Sequence, residues 1–333
     1  MGSRVGLEKA MRSRTTLLAA LLWLPPAAAF GQGAETFTPT ETTAPDIPGV
    51  VAGGTRVQVV AKGLRGTEGP IAAPDGTLLF TEQAASVITR IDMQGNRSTF
   101  LENTNGSQGL TFDQNGRLIG VLPATRQVAT LTPTRTVLAS TFEDKPFLGP
   151  NDLIADRKGG VYFTDPGTYP PPGQFLTEIP SVYYIRPDGR VVKIADDIAR
   201  PNGIILSPDE KTLYVANTLG AFVVAFEVQP DGSVRNQRNF ARLSGILMTN
   251  SGLRSGADGL AVDEAGRLYV TSTIGVQVFS REGRPLGTIP IGNPDGPQNL
   301  AFAGPDKRTL YVVGDGAVWK IAMLAQGPKG RAK

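Results

Sequence analysis

The stretch Arg200-Pro-Asn202-Gly-Ile-Ile-Leu-Ser207-Pro-Asp-Glu-Lys-Thr-Leu-Tyr214-Val-Ala-Asn-Thr218 decides the fold. It runs from a polar residue through a short apolar run and a Pro/Asp/Lys turn to a second apolar run, the pattern of a β-hairpin with a polar head. Counterparts of the second run stand in Gly76-Thr-Leu-Leu79-Phe, Gly116-Arg-Leu-Ile119-Gly, Gly160-Val-Tyr162-Phe, Gly266-Arg-Leu-Tyr269-Val and Arg308-Thr-Leu-Tyr311-Val. With Leu79, Ile119, Tyr162, Tyr214, Tyr269 and Tyr311 as equivalents, the spacings are 40, 43, 52, 55 and 42 residues.

A turn precedes each run: Pro74-Asp75-Gly76, Asp113 to Gly116, Asp156 to Gly159, Ser207 to Glu210, Asp263 to Gly266 and Gly304 to Lys307. Asp, Asn and Gly supply the positive φ and local side-chain hydrogen bonds that such turns need. Third runs often follow, as in Ser86 to Asp92, Ser181 to Arg186, Gly220 to Phe226 and Gly275 to Phe279, and then fourth runs such as Arg97 to Leu101, Arg190 to Ile194 and Leu286 to Ile289. Four short antiparallel strands repeated six times predict an all-β chain, a six-bladed β-propeller with four-stranded antiparallel blades. A β-sandwich has no reason to repeat a turn motif six times, and a WD40 array needs a Gly-His signature. The last repeat supplies two strands after its turn, Leu310 to Val313 and Ala317 to Ile321, so Arg56 to Val60 is expected to add an outer strand and latch the ring.

Composition agrees. Of 333 residues 40% are hydrophobic and 19% charged, enough for a large core, and 40 Gly with 26 Pro favour many turns over long helices. The chain has no Cys and no His. That excludes a disulfide, a thiol nucleophile, a Ser-His-Asp triad and His- or Cys-ligated zinc or haem, so any metal is held by oxygen.

Residues 1–29 read as a secretory signal peptide: Arg4, Lys9, Arg12 and Arg14, then apolar Leu17 to Leu24, then Ala27-Ala28-Ala29. The apolar run is shorter than a membrane span of roughly 20 residues, so no stable span is expected once the signal is removed. Its loss takes the formal charge from +3 to about zero, which argues against a nucleic-acid partner. Residues 30–54 read as a flexible leader, 55–325 as the propeller and 326–333 as a C-terminal tail. The expected location is periplasmic or secreted.

Before the first strand of each unit stands one oxygen-bearing side chain: Glu68, Gln108, Asn151, Asn202, Asp258 and Gln298. They lie 11, 11, 11, 12, 11 and 13 residues before the equivalent positions. Innermost strands line a propeller's channel, so these side chains should converge at one end of it. An Asn-Gly pair alone reads as a turn, but turn chemistry explains neither Glu nor Asp at matched places. Two carboxylates in a narrow channel repel, and one must take a proton unless a divalent cation joins them. Glu68, Asp258, Asn151 and Asn202 form an all-oxygen set suited to Ca2+.

The strings Glu68-Gly-Pro, Pro150-Asn151-Asp152-Leu-Ile-Ala-Asp, Tyr-Phe-Thr-Asp165-Pro, Arg-Pro-Asn202-Gly and Asp258-Gly-Leu-Ala-Val-Asp resemble the gluconolactonase, regucalcin and luciferin-regenerating-enzyme family over about residues 56–323. The resemblance implies a six-bladed propeller with one divalent metal, usually calcium, in its channel. Glu68, Asn202 and Asp258 match the metal ligands, and Asn151 matches a residue that ligates metal or touches substrate. Asp258 matches the general base, with a hydroxide on the metal as its competitor. Regucalcin-like members carry Arg two residues before the blade-three Asn, where this chain has Gly149; a sugar lactone is thus one candidate substrate.

The implied reaction is hydrolysis of a small cyclic ester, a lactone or sugar acid ester, with the metal as Lewis acid. Gln108, Asn151, Asp165, Tyr169 and Gln298 are the expected substrate contacts. Glu82, Asn217 and Thr273 return to the same face, Asp165 opens a Pro-rich loop at 170–172, and the loop Gly245 to Ala257 carries Met248 and Arg254. The competing readings are a non-catalytic propeller that binds a sugar or protein around a structural ion, and a phosphotriesterase at the same site. A quinone-dependent sugar dehydrogenase is disfavoured for want of a His base.

Overall fold

In the computed structural model, which describes residues 38–168, 177–249, 252–331 and 333, each repeat folds into one antiparallel sheet. Blade one runs Thr67–Ala72, Leu78–Glu82, Val87–Ile91 and Arg97–Leu101, each strand paired with the next. Blade four runs Pro201–Leu206, Thr212–Asn217, Phe222–Val228 and Val234–Arg242 in the same order. The innermost strands of blades two, three, five and six are Leu110–Phe112, Leu153–Ala155, Leu260–Val262 and Asn299–Ala303. They pack in ring order with the sixth beside the first, so the six blades close a propeller. All six equivalent positions from Leu79 to Tyr311 fall on second strands.

The latch forms as the sequence predicts. Arg56–Ala61 pairs antiparallel with Ala317–Ala322, Gln58 opposite Lys320 and Val59 opposite Trp319, completing blade six with a strand from the other end of the fold. Closure of this kind ties the start of the propeller to its end, a staple that a chain without disulfides needs, and leaves only short blade edges.

The leader reading fails where it can be compared. From residue 38 on, the segment is packed: Thr42–Thr43 adds a fifth strand beyond Arg56–Ala61, and Ile47, Val50 and Val51 are buried in the cluster shared by blades five and six. Trp319 Nε1 donates to the Thr40 carbonyl oxygen at 3.0 Å. Thr and Pro dominate the composition here, but a few spaced apolar residues suffice to cover a blade edge. Residues 1–29, read as a signal, lie outside the described residues.

The repeated turns work through their Asp side chains. Asp113 Oδ1 accepts the N–H groups of Asn115 and Arg117, both at 2.9 Å, and Asp156 Oδ1 accepts those of Lys158 at 2.9 Å and Gly160 at 2.8 Å. Two of the tyrosines that mark the register are hydrogen-bonded anchors, Tyr162 to the next blade and Tyr269 to the turn of its own. Tyr162 stacks on Tyr184 with centroids 4.2 Å apart and donates to the Gly232 carbonyl oxygen at 2.6 Å, while Tyr269 donates to Asp263 Oδ2 at 2.9 Å. Each ring is buried with its hydroxyl satisfied, so it adds apolar burial without a desolvation cost. Among the described residues no helix is long and apolar enough to cross a membrane.

Candidate functional site

The six polar residues sit where the innermost strands begin, and these beginnings are tied to one another around the channel. Gly109 N donates to Asn151 O at 3.0 Å, Gly203 N to Asp258 O at 3.1 Å and Gly259 N to Gln298 O at 2.8 Å. Thr164 Oγ1 donates to Asn202 O at 2.7 Å and Thr271 Oγ1 to Gln298 O at 2.8 Å. The Asn202-Gly203 pair is therefore no turn. Gly203 lies inside the strand Pro201–Leu206, and a Cβ there would stand 2.1 Å from Asp258 O. Glycine lets neighbouring strands converge closely enough to share a site. Gly203→Ala should cost about 1–3 kcal/mol or more by overpacking and part Asn202 from Asp258; thermal melting at the parent temperature would contradict this.

Glu68, Gln108, Asn151, Asn202, Asp258 and Gln298 all line one pocket of about 430 Å³, to which every blade contributes. The volume suits a small ligand. Hydrogen bonds aim the donors. Glu68 Oε2 accepts Gly69 N and Asn299 Nδ2, both at 2.9 Å, leaving Oε1 without either bond. Asn151 Nδ2 donates to Gln108 Oε1 at 3.2 Å, and Gln108 Nε2 donates onward to Gln83 Oε1 at 3.0 Å. Asn202 Nδ2 donates to Thr218 Oγ1 at 3.1 Å, and Thr218 Oγ1 itself donates to Ala257 O at 2.7 Å. With its nitrogen so engaged, Asn202 Oδ1 is buried and has no hydrogen-bond partner.

The electrostatics are unfavourable without a cation. Burial pushes Glu68 from its ordinary 4.5 up to about 7, against the lowering effect of Asn299 and Gly69. Burial, and next the nearby charge of Glu68, push Asp258 well above the usual carboxylate range. Among the described residues no three ionisable ligands gather at one point, so the set is two carboxylates and two amides. An orphaned carboxamide oxygen beside two mutually repelling carboxylates is a donor set that fits a hard divalent cation.

The remaining expected contacts divide. Thr273 reaches the pocket. Asp165 does not line it: its two oxygens accept Leu148 N at 2.8 Å and Gly149 N at 2.6 Å, so this carboxylate, expected to bind substrate, instead pins the loop before Asn151. Glu82 holds Arg65 N and Thr89 Oγ1, and Asn217 Oδ1 holds Arg200 N at 3.1 Å. Tyr169 lies outside the described residues. Sequence reasoning missed Asn299, which steadies Glu68, and Arg200, whose charge opposes the rise at Asp258. Both adjoin or precede ring residues by one or two positions, Asn299 after Gln298 and Arg200 before Asn202.

Fold and site together define a six-bladed propeller with one acidic, amide-rich pocket at the channel mouth. The chain belongs to the SMP-30/gluconolactonase/LRE-like family, whose model matches residues 66–314. It is 28% identical over 300 residues to a gluconolactonase of Zymomonas mobilis, covering 80% of this chain and 81% of that protein. A gluconolactonase structure from Xanthomonas campestris superposes with a TM-score of 0.71 at 27% identity, covering 85% of this chain and 97% of that one. The calcium-binding protein regucalcin of Agrobacterium tumefaciens shares the fold, with a TM-score of 0.66 at 20% identity over 82% of this chain and 95% of that one.

Proposed function

We propose that this protein is an exported lactonase that hydrolyses a small cyclic ester with the help of one divalent cation, calcium by its donor chemistry. The observation that carries the reading is the buried, unpartnered Asn202 Oδ1 in the pocket that Glu68, Asn151 and Asp258 also line. Support for the reaction comes from the relatives named gluconolactonase.

Glu68, Asn151, Asn202 and Asp258 would hold the cation. When bound, it would act as a Lewis acid toward the lactone carbonyl. Asp258 takes a proton from the water as its oxygen bonds to the carbonyl carbon, and returns that proton to the ring oxygen as the acyl C–O bond breaks and the oxygen leaves as an alcohol. Gln108 and Gln298, on blades two and six, present amides to the substrate's polar substituents. Arg200 and Arg254, also in the lining, suit a substrate bearing hydroxyl or carboxylate groups. Gly149 is open here, since a Cβ on it would meet only atoms at 3.5 Å and beyond. Blade three thus offers no cation at position 149, and the charged contacts to the substrate would come from Arg200 and Arg254.

The test is hydrolysis of a panel of sugar and aliphatic lactones, with organophosphates included, before and after chelation. Chelator-sensitive lactone turnover is expected. Bound metal without turnover would leave a non-catalytic propeller, and turnover confined to organophosphates would make it a phosphotriesterase. Export is checked on the same preparation: the periplasmic or secreted protein should have lost the mass of residues 1–29.

A further inference from the structure

Beneath the pocket the channel holds a third carboxylate that the proposed reaction does not use. Asp152 follows Asn151 and is 1% exposed. Its oxygens accept Leu153 N at 2.9 Å and Ile204 N at 3.2 Å, fixing it between the innermost strands of blades three and four. Its charge also reaches Glu68 and Asp258, raising the proton affinity of both. Three like charges in one channel need more than one divalent ion to neutralise them.

The balancing charge comes from the far end of the chain. Lys333 is fully buried, and its Nζ donates to Asp152 Oδ1 at 2.6 Å and Oδ2 at 2.7 Å. Arg331, two residues before it, is built in. Arg331 Nη1 donates to the carbonyl oxygens of Leu206 at 3.1 Å and Ser207 at 3.2 Å, and its Nη2 pairs with Glu210 Oε1 at 2.5 Å. Leu206 ends the innermost strand that begins beside Asn202, so Arg331 is held at the end of that strand opposite the pocket. Lys307 Nζ also donates to the Arg331 carbonyl oxygen.

We propose that Lys333 is an internal cation of the channel: its ammonium neutralises Asp152, so that the channel takes up one fewer metal equivalent than its three carboxylates would otherwise attract. The metal count of the native protein rests on the function proposed above, but the difference made by Lys333 does not. With Glu68, Asp258 and Asp152 ionised, one ammonium and one divalent ion leave the channel neutral. Without the ammonium, an ion from solvent takes its place.

The experiment measures bound Ca2+ per chain by calorimetry and elemental analysis, and melting temperature in chelator, for the parent, Lys333→Ala, Asp152→Asn and the double variant. Lys333→Ala should gain one equivalent over the parent and, in chelator, melt roughly 5–10 °C lower, as expected for a buried pair broken on one side. Asp152→Asn, which leaves the ammonium uncompensated, should bind Ca2+ about tenfold more weakly. The double variant should return to the parent's count and to within a few degrees of its melting temperature, a rescue that lost packing alone does not produce. An unchanged count in Lys333→Ala, or additive losses in the double variant, overturn the inference. Should Lys333→Ala fail to fold, the affinity of Asp152→Asn decides: unchanged binding overturns it. A parent that binds no Ca2+ refutes the metal reading instead, while a gain of one equivalent in Lys333→Ala still upholds the role of Lys333.

Discussion

Replacing Asp258 by Asn should lower kcat for the best lactone by about 10²–10⁴-fold even at saturating Ca2+, the range set by loss of a positioned base. The Asn keeps an oxygen at the same place, so metal binding should weaken without vanishing, and far-UV circular dichroism should be unchanged. The geometry explains the expected split. The backbone of Asp258 is fixed by Asp258 N to Thr271 O at 3.1 Å and by Gly203 N to Asp258 O at 3.1 Å, bonds that the substitution leaves in place. Titration with Ca2+ distinguishes the two roles of the carboxylate. Recovery of full kcat at high Ca2+ would make Asp258 a ligand only and assign the base elsewhere.

Chelation should abolish turnover and also reverse the pH dependence of stability. Burial holds Glu68 up to about 7 and Asp258 well above its ordinary range in the metal-free protein. The folded state then keeps protons that the unfolded chain releases near pH 4, so the unfolded state binds fewer protons and stability falls as pH rises from about 4.5 through 7. Chelator-treated protein should therefore melt lower at about pH 8 than at about pH 5, whereas protein in excess Ca2+ should not. Binding to the native state alone adds about 2.7 kcal/mol when free Ca2+ is 100 times its dissociation constant. Glu68→Gln imitates the protonated carboxyl. It should raise the melting temperature in chelator at about pH 8, lose most stabilisation by Ca2+, and lose turnover. Equal Ca2+ stabilisation of parent and variant would remove Glu68 from the ligand set.

The convergence of these side chains was legible because a repeat converts sequence distance into position. Asn202 lies 134 residues from Glu68 and 56 from Asp258, yet matched spacing before Tyr214, Leu79 and Tyr269 places all three at the mouth of one channel. Asp165 was legible as a residue near the ligand face and not in its partner, because a carboxylate between a pocket and two backbone N–H groups has two possible uses. The leader shows the limit of composition: Ile47, Val50 and Val51 are sparse among Thr and Pro, and only the blade edge they cover reveals their burial.

By itself the sequence determined the number of blades, the strand that closes the ring and the chemistry excluded by the absence of Cys and His. These follow from local patterns repeated often enough to be unambiguous. Only the tertiary structure decided which amide oxygen is left without a partner, why Gly203 must be Gly, and that Lys333 meets Asp152 across 181 positions of chain. Such contacts depend on where closure brings separate blades, Arg331 and Lys333, and no local pattern of residues encodes a distance across a channel.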